Sequence, residues 1–190
     1  MRLELLYNPR LLCERLAVES VKRKRLAILK GTEAEGPRSW AYRPRWKLVE
    51  LASGAGINVI YDIGANIGSW SLMAKTLVPT ARIEAFEPLA KHQAQFLQNF
   101  KGSEDVTLRP IAVGRDNATE TFHVTDASDA SSLLQPNDAS RLQFGVREAK
   151  QFPLQVFRLD DYRREKQIPW PDLIKLDIQG FELEALRGAL

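Results

Sequence analysis

Cysteine is almost absent. Cys13 stands alone among 190 residues, which excludes a disulfide within the chain and fits a reducing compartment. Long apolar runs are missing as well. None approaches the ~20 residues that a membrane-spanning helix needs, and charges interrupt the N-terminus where a signal peptide would carry its apolar core. The expectation is a cytoplasmic chain with no transmembrane segment. No internal repeat and no low-complexity tract is visible, and no metal site is expected.

What is present is an ordinary globular composition, 44% hydrophobic and 27% charged. The length suits one domain that buries about 70% of its unfolded surface. The net charge of +3 is spread unevenly: residues 1–50 hold 12 basic and 6 acidic side chains, residues 51–190 hold 15 and 18. The densest point is KRKR at residues 22–25. It reads either as a solvated helix face or as a contact for an anionic surface such as lipid, acidic glycan or nucleic acid.

The periodicity changes near residue 57. Residues 11–30 carry Leu12, Leu16, Leu26 and Leu29 at helical steps among charges. A Gly-, Pro- and charge-rich stretch follows, then a short helix ending at the glycines of LASGAG. This makes a basic helical extension, residues 1–56. From residue 57 the chain reads strand (INVIYDI), helix (IGSWSLMAKTLV), strand (ARIEAFEP), helix (LAKHQAQFLQNF), strand (DVTLRPIAVG). That alternation predicts βαβ units, right-handed crossovers and a mainly parallel sheet with helices on both faces. TETFHVTD and FPLQVFRLDDY read as further strands, the second followed by a turn. DLIKLDIQG returns to the buried strand type, and FELEALRGAL starts a helix. The polar segment 126–140 reads either as a substrate lid or as a plain solvated loop.

In an open α/β sheet, ligands bind outside the carboxyl ends of the strands. Three strand ends carry suggestive residues. The first is DIGANIG, with Asp62, Gly64, Asn66 and Gly68. Gly64 permits unusual dihedrals and close backbone approach, and Asn66 is a residue type that tolerates the left-handed region. Gly68 opens the next helix, where free N–H groups would face a ligand. The dinucleotide fingerprint G-x-G-x-x-G is lacking, because Asn66 stands where its second glycine would be. Asp62, two residues before Gly64, is badly placed beside a pyrophosphate and suits a cationic group such as an amino acid's ammonium. A turn aspartate with structural glycines is the alternative.

The second strand end is AFEP. Glu87 follows Gly68 by 19 residues, the placement of an acid that accepts ribose hydroxyls; a plain helix-start acid before Pro88 is the alternative. The third is LIKLDIQG. Lys175 and Asp177 lie two apart on one face of an apolar strand, where charge is costly unless paired or used. A cation-favouring loop with a ribose acid and no phosphate loop describes S-adenosylmethionine.

Taken in order, YDIGANIGSWS, AFEP, IAVGRDNATETFHV, ASSLL, FRLDDY and DLIKLDIQGFELEALRGA resemble the FkbM-type methyltransferases, from about residue 59 to 190. The resemblance implies a Rossmann-like class I methyltransferase fold that uses S-adenosylmethionine, and O-methylation of a sugar, glycolipid, polysaccharide or polyketide. By position it implies that Asp62, Gly64, Asn66 and Gly68 surround the methionine part, that Glu87 holds the ribose, that Ala112 and Val113 border the adenine, and that Asp177 faces the methyl and the acceptor. Gln179 departs from the family, where many relatives have Glu. The family fold continues with further strands, so a C-terminally incomplete domain is expected.

A sugar hydroxyl is a weak nucleophile, so a general base would help. Asp177 is the first candidate, with Glu182 and His123 behind it; His123, in an alternating strand, also reads as structural. Two rival functions remain at this point: a nucleotide-dependent oxidoreductase, which Asp62 and Asn66 oppose, and a degenerate, non-catalytic binding module with the methyltransferase fold. Nucleic acid is not the expected partner, since the cofactor region is net acidic and has no Asn-Pro-Pro-Tyr-like motif.

Overall fold

The computed structural model describes residues 9–30, 34, 43–125, 132–134 and 148–189. The chain divides into two compact units, one made of Met1–Asn58 with Ser69–Ala81, the other of Val59–Gly68 with Arg82–Leu190. No helix among the described residues is long and apolar enough to cross a membrane.

The first unit holds α1 (Pro9–Leu29), α2 (Arg43–Ser53) and α3 (Ser69–Leu77). Both α1 and α2 pack on α3. Lys75, in the last turn of α3, is fully buried. Its Nζ donates to the carbonyls of Pro79 and Ala81, both at 2.7 Å. The KRKR run does not behave as one surface. Arg23 and Lys24 are exposed, whereas Arg25 is buried and donates through Nη1 to the Lys75 carbonyl at 3.0 Å.

The second unit contains β1 (Val59–Ile63), β2 (Arg82–Phe86), α4 (Ala90–Asn99), β3 (Val106–Arg109), β4 (Ala112–Gly114), β5 (Ala118–Thr125), β6 (Glu148–Arg158), α5 (Leu159–Glu165), β7 (Leu173–Leu176) and α6 (Glu182–Arg187). A four-stranded sheet runs in the order β3-β2-β1-β7, and every pairing in it is parallel. After Val59 and Arg82, their first residues, β1 and β2 are buried at every position, which explains their continuous apolar pattern. Glu84 interrupts that pattern in β2, where it accepts from Arg82 Nε at 2.6 Å and Arg109 Nε at 2.8 Å. The mainly parallel α/β architecture read from the sequence is therefore present.

Two elements differ from the sequence expectation. DVTLRPIAVG is not one strand. Pro110 has no N–H to give to a ladder, and after it the Ile111 N–H turns back to the Arg109 carbonyl at 2.9 Å. β3 thus stays in the first sheet while β4 joins a second, three-stranded sheet of order β4-β6-β5. There β4 runs parallel and β5 antiparallel to β6. The expected turn after FPLQVFR is helix α5, with Asp160 and Asp161 in its first turn and Arg163 and Arg164 in its last, matching the helix dipole at both ends.

The two sheets share a core. Tyr61, Ile63 and Phe86 from the first pack with Ile111, Val113, Leu159, Tyr162, Ile168 and Ala185. Tyr61 and Phe86 stand 5.4 Å apart between ring centroids, and Phe86 meets Tyr162 edge-on at 6.4 Å. Tyr61 buries its ring and donates its hydroxyl to the Pro169 carbonyl at 2.6 Å.

Candidate functional site

From β1 the chain steps to β2 and β3 on one side, and β7 then adds on the other. The carboxyl ends of β1 and β7 therefore flank a topological switch point, where open α/β sheets bind ligands. A cleft of about 570 Å³, counting its solvent-open mouth, lies there. It is lined by Gly64 and Asn66 after β1, Glu87 after β2, Ala112 and Val113 of β4, and Asp177 after β7. These six residues, all singled out from sequence, thus meet at one place.

The loop after β1 is shaped by three left-handed residues, Gly64 at φ 77°, Asn66 at 51° and Gly68 at 88°. Gly64 and Ala65 both donate to the Phe86 carbonyl at 3.0 Å, which ties the loop to the end of β2. A Cβ on Gly64 would stand 2.0 Å from the Asp177 carbonyl oxygen, so the ends of β1 and β7 touch through a residue that must lack a side chain. Asn66 donates its N–H to Glu87 Oε2 at 2.8 Å, and its own Oδ1 accepts from the Ile67 N–H at 2.7 Å. Gly68 is not at the cleft. Its N–H is committed to the Ala65 carbonyl at 2.8 Å, and an added Cβ would meet the rings of Phe96 and Phe100 at 2.8 Å.

Asp62 is also away from the cleft lining. It is fully buried and forms an ion pair with Lys175 across β1 and β7, Nζ to Oδ1 at 3.0 Å. The same Nζ donates to the Gly64 carbonyl at 2.7 Å. Lys175 thus pairs with Asp62 rather than with Asp177, which follows the strand. Asp177 lines the cleft and accepts from Gln179 Nε2 at 3.0 Å. Glu182 turns inward to its own loop, where Oε1 accepts from the N–H groups of Ile178 at 2.9 Å and Gly180 at 3.2 Å. Burial pushes the Glu182 carboxyl up, but the backbone N–H groups of Glu182, Ile178, Gly180 and Gln179 together hold it below its ordinary value. His123 is paired through its backbone with Ser132 and does not line the cleft.

Residues 62–190 match the family model for the methyltransferase FkbM domain. The chain belongs to the FkbM methyltransferase family. Among curated relatives it is 32% identical over 138 residues to a 2-O-methyltransferase, NoeI, of Sinorhizobium fredii, covering 68% of this chain and 56% of that one. It is 26% identical over 155 residues to Methyltransferase 1 of Beauveria bassiana, covering 75% and 62%. With the hexuronic acid methyltransferase AglP of Haloferax volcanii it shares 24% identity over 131 residues, covering 69% and 49%. The chain thus spans roughly half to three fifths of the length of these relatives. Among solved structures it overlaps human N-acetylserotonin methyltransferase in complex with SAM at 16% identity and TM-score 0.30, over 46% of this chain and 24% of that one.

This FkbM domain adds residues to the cleft that the sequence reading did not pick out. His92, on the first turn of α4, is buried and stands with Nδ1 3.3 Å from Glu87 Oε1. Its signal was faint: a helix that starts just after a strand-end acid brings its first turn back over that acid. Ser132 and Leu133 belong to the ASSLL motif and line the cleft, as do Phe122 and Phe181. Ser132 Oγ lies 3.0 Å from the Gln179 carbonyl and 3.2 Å from that of Ile178, and accepts from the Leu134 N–H at 3.1 Å. The other residues of the lid candidate 126–140 lie outside the described residues.

Proposed function

We propose that this FkbM domain transfers the methyl group of S-adenosylmethionine to a hydroxyl oxygen, that of a sugar, glycolipid or polysaccharide. The observation that carries the reading is the make-up of the cleft. Its described lining contains two carboxylates, Glu87 and Asp177, amid apolar and aromatic side chains, and no lysine or arginine. Such a lining repels a polyphosphate and accepts a ligand that is cationic at one end and hydroxylated in the middle. This weakens the oxidoreductase alternative more directly than Asp62 did. The name of one relative, a 2-O-methyltransferase, supports oxygen as the acceptor atom, and that of another, a hexuronic acid methyltransferase, supports a sugar as the acceptor.

When bound, S-adenosylmethionine supplies a methyl group on a sulfonium, open to in-line displacement by oxygen. The residues then divide the remaining work. Glu87 accepts from a ribose hydroxyl. Ala112 and Val113 give the adenine an apolar wall. The backbone of Gly64 and Asn66 borders the amino acid end, and Asp62 acts on that loop through Lys175, which holds the Gly64 carbonyl. Gly68 sets the exit of the loop. Asp177 takes the proton of the acceptor hydroxyl, and alignment of acceptor and methyl supplies much of the rate. Glu182 shapes the Asp177 loop through its two backbone contacts.

The decisive change is Asp177→Asn. Turnover, followed as tritiated methyl incorporated into cell-envelope glycans, should fall by about 10²- to 10⁴-fold. Affinity for S-adenosylhomocysteine, followed by calorimetry, should hold. A collapse of that affinity would move Asp177 from proton transfer to cofactor binding. Wild-type protein that neither binds S-adenosylhomocysteine nor labels any glycan would favour the binding-module alternative.

A further inference from the structure

Glu87 is oriented by its own surroundings. Oε2 accepts from the Asn66 N–H at 2.8 Å, and Oε1 accepts from the Leu89 N–H at 2.9 Å and faces His92 Nδ1 at 3.3 Å. Both side chains are only 6% exposed, yet both line the cleft. A carboxylate oxygen has two acceptor directions. On Oε1 the Leu89 N–H and the imidazole take both. An oxygen that already accepts a backbone N–H requires a donor from the ring, so Nδ1 carries the hydrogen. α4 also holds residue 87 by its main chain, since Gln93 Nε2 donates to the Glu87 carbonyl at 2.8 Å.

We propose that His92 is a positioning residue for nucleoside recognition: it fixes the rotation of the Glu87 carboxylate, so that a single ribose hydroxyl is taken on Oε2. The proposal rests on the reading of Glu87 as the ribose acid. Without the imidazole, one direction of Oε1 opens, and only the Asn66 and Leu89 N–H groups still hold the carboxylate against rotation about its terminal torsion, which has broad, shallow wells. The hydroxyl then faces a less firmly fixed partner while the apolar contacts of the adenine stay in place. His92 therefore governs selectivity for the hydroxyl more than affinity for the base.

The test titrates adenosine, 2′-deoxyadenosine and 3′-deoxyadenosine into the full chain by calorimetry. Wild-type protein should bind adenosine about tenfold more tightly than the deoxynucleoside that lacks the bound hydroxyl, the worth of one charge-assisted hydrogen bond. His92→Ala should lower that ratio severalfold. His92→Asn, whose amide can donate from near the place of Nδ1, should restore most of it. A merely structural role would lower all three affinities together and leave the ratio unchanged. An intact ratio in His92→Ala, or an Asn variant no better than Ala, overturns the proposal and leaves the reading of Glu87 standing. An intact ratio in Glu87→Gln, or no adenosine binding by the wild type, overturns both.

Discussion

Asp62 and Glu87 are both acids at the carboxyl ends of neighbouring strands, yet they face different work. Asp62 is the last but one residue of β1 and spends its charge on Lys175 inside the sheet. Glu87 stands one residue beyond β2, where its side chain reaches the cleft. The sequence made the second legible, because its distance from Gly68 is a spacing with a mechanism. It could not separate the two roles of Asp62, since an ion pair between residues 113 apart is a property of strand order. A third polar group, Tyr61, was invisible as a titrating site. Burial first, and then the neighbouring Glu84, push its hydroxyl up to about 12 from 10.0. A group whose folded value is raised contributes stability that is complete below its unfolded value and is lost as pH rises through the folded one. Stability should therefore fall between pH 10 and about 12. Tyr61→Phe is expected to be less stable at neutral pH, through loss of the bond to Pro169, but to show a shallower decline across that window. Urea midpoints at pH 8, 10 and 11 measure this, and an unchanged slope in the variant would assign the alkaline loss to other groups.

Elements follow their periodicity until a single residue breaks it. The two central strands, β1 and β2, were legible because burial on both faces leaves mostly apolar runs, as in VIYDI and RIEAF. The division of DVTLRPIAVG was not, although Pro110 carried the signal: a residue with no N–H inside a strand pattern argues for a break. FRLDDY misled for the opposite reason, since its acidic start reads as a turn when the arginines that follow are ignored. The contact between the ends of β1 and β7 gives a sharper test of how elements meet. Gly64→Ala places a Cβ 2.0 Å from a backbone oxygen at φ 77°, whereas Gly68→Ala meets only ring edges, at 2.8 Å and φ 88°. The left-handed conformation costs both variants about 1–2 kcal/mol. The added difference is whether the neighbour can move. The rings of Phe96 and Phe100 can shift by rotation; the carbonyl at the end of β7 cannot without moving the strand. Gly64→Ala should therefore lose at least about 3 kcal/mol and Gly68→Ala about half of that. Chemical denaturation of both variants decides it, and the reverse order would mean that β7 yields more easily than the aromatic pair.

At the scale of the whole molecule, the cleft gathers residues from position 63 to position 181. The ends of β1, β2 and β7, strand β4 and Phe122 of β5 all contribute, so the ligand joins pieces of chain that only the completed sheets bring together. A ligand that binds this assembled state and not the unfolded chain must stabilise the unit as a whole, by about 2.7 kcal/mol at a hundred times its dissociation constant. For a chain of this size that is a rise in the unfolding midpoint of roughly 5–10 °C. S-adenosylhomocysteine should produce it in a thermal scan. NAD should not, because a pyrophosphate would have to sit against Glu87 and Asp177 with no lysine or arginine among the described lining residues to neutralise it. Salt sharpens the comparison. Repulsion of NAD by two carboxylates weakens as ionic strength rises, so any trace of NAD stabilisation should grow with salt, while that of S-adenosylhomocysteine should shrink as its ammonium is screened. A midpoint raised by NAD alone, with no response to S-adenosylhomocysteine, would return the cleft to the oxidoreductases and remove the basis for methyl transfer.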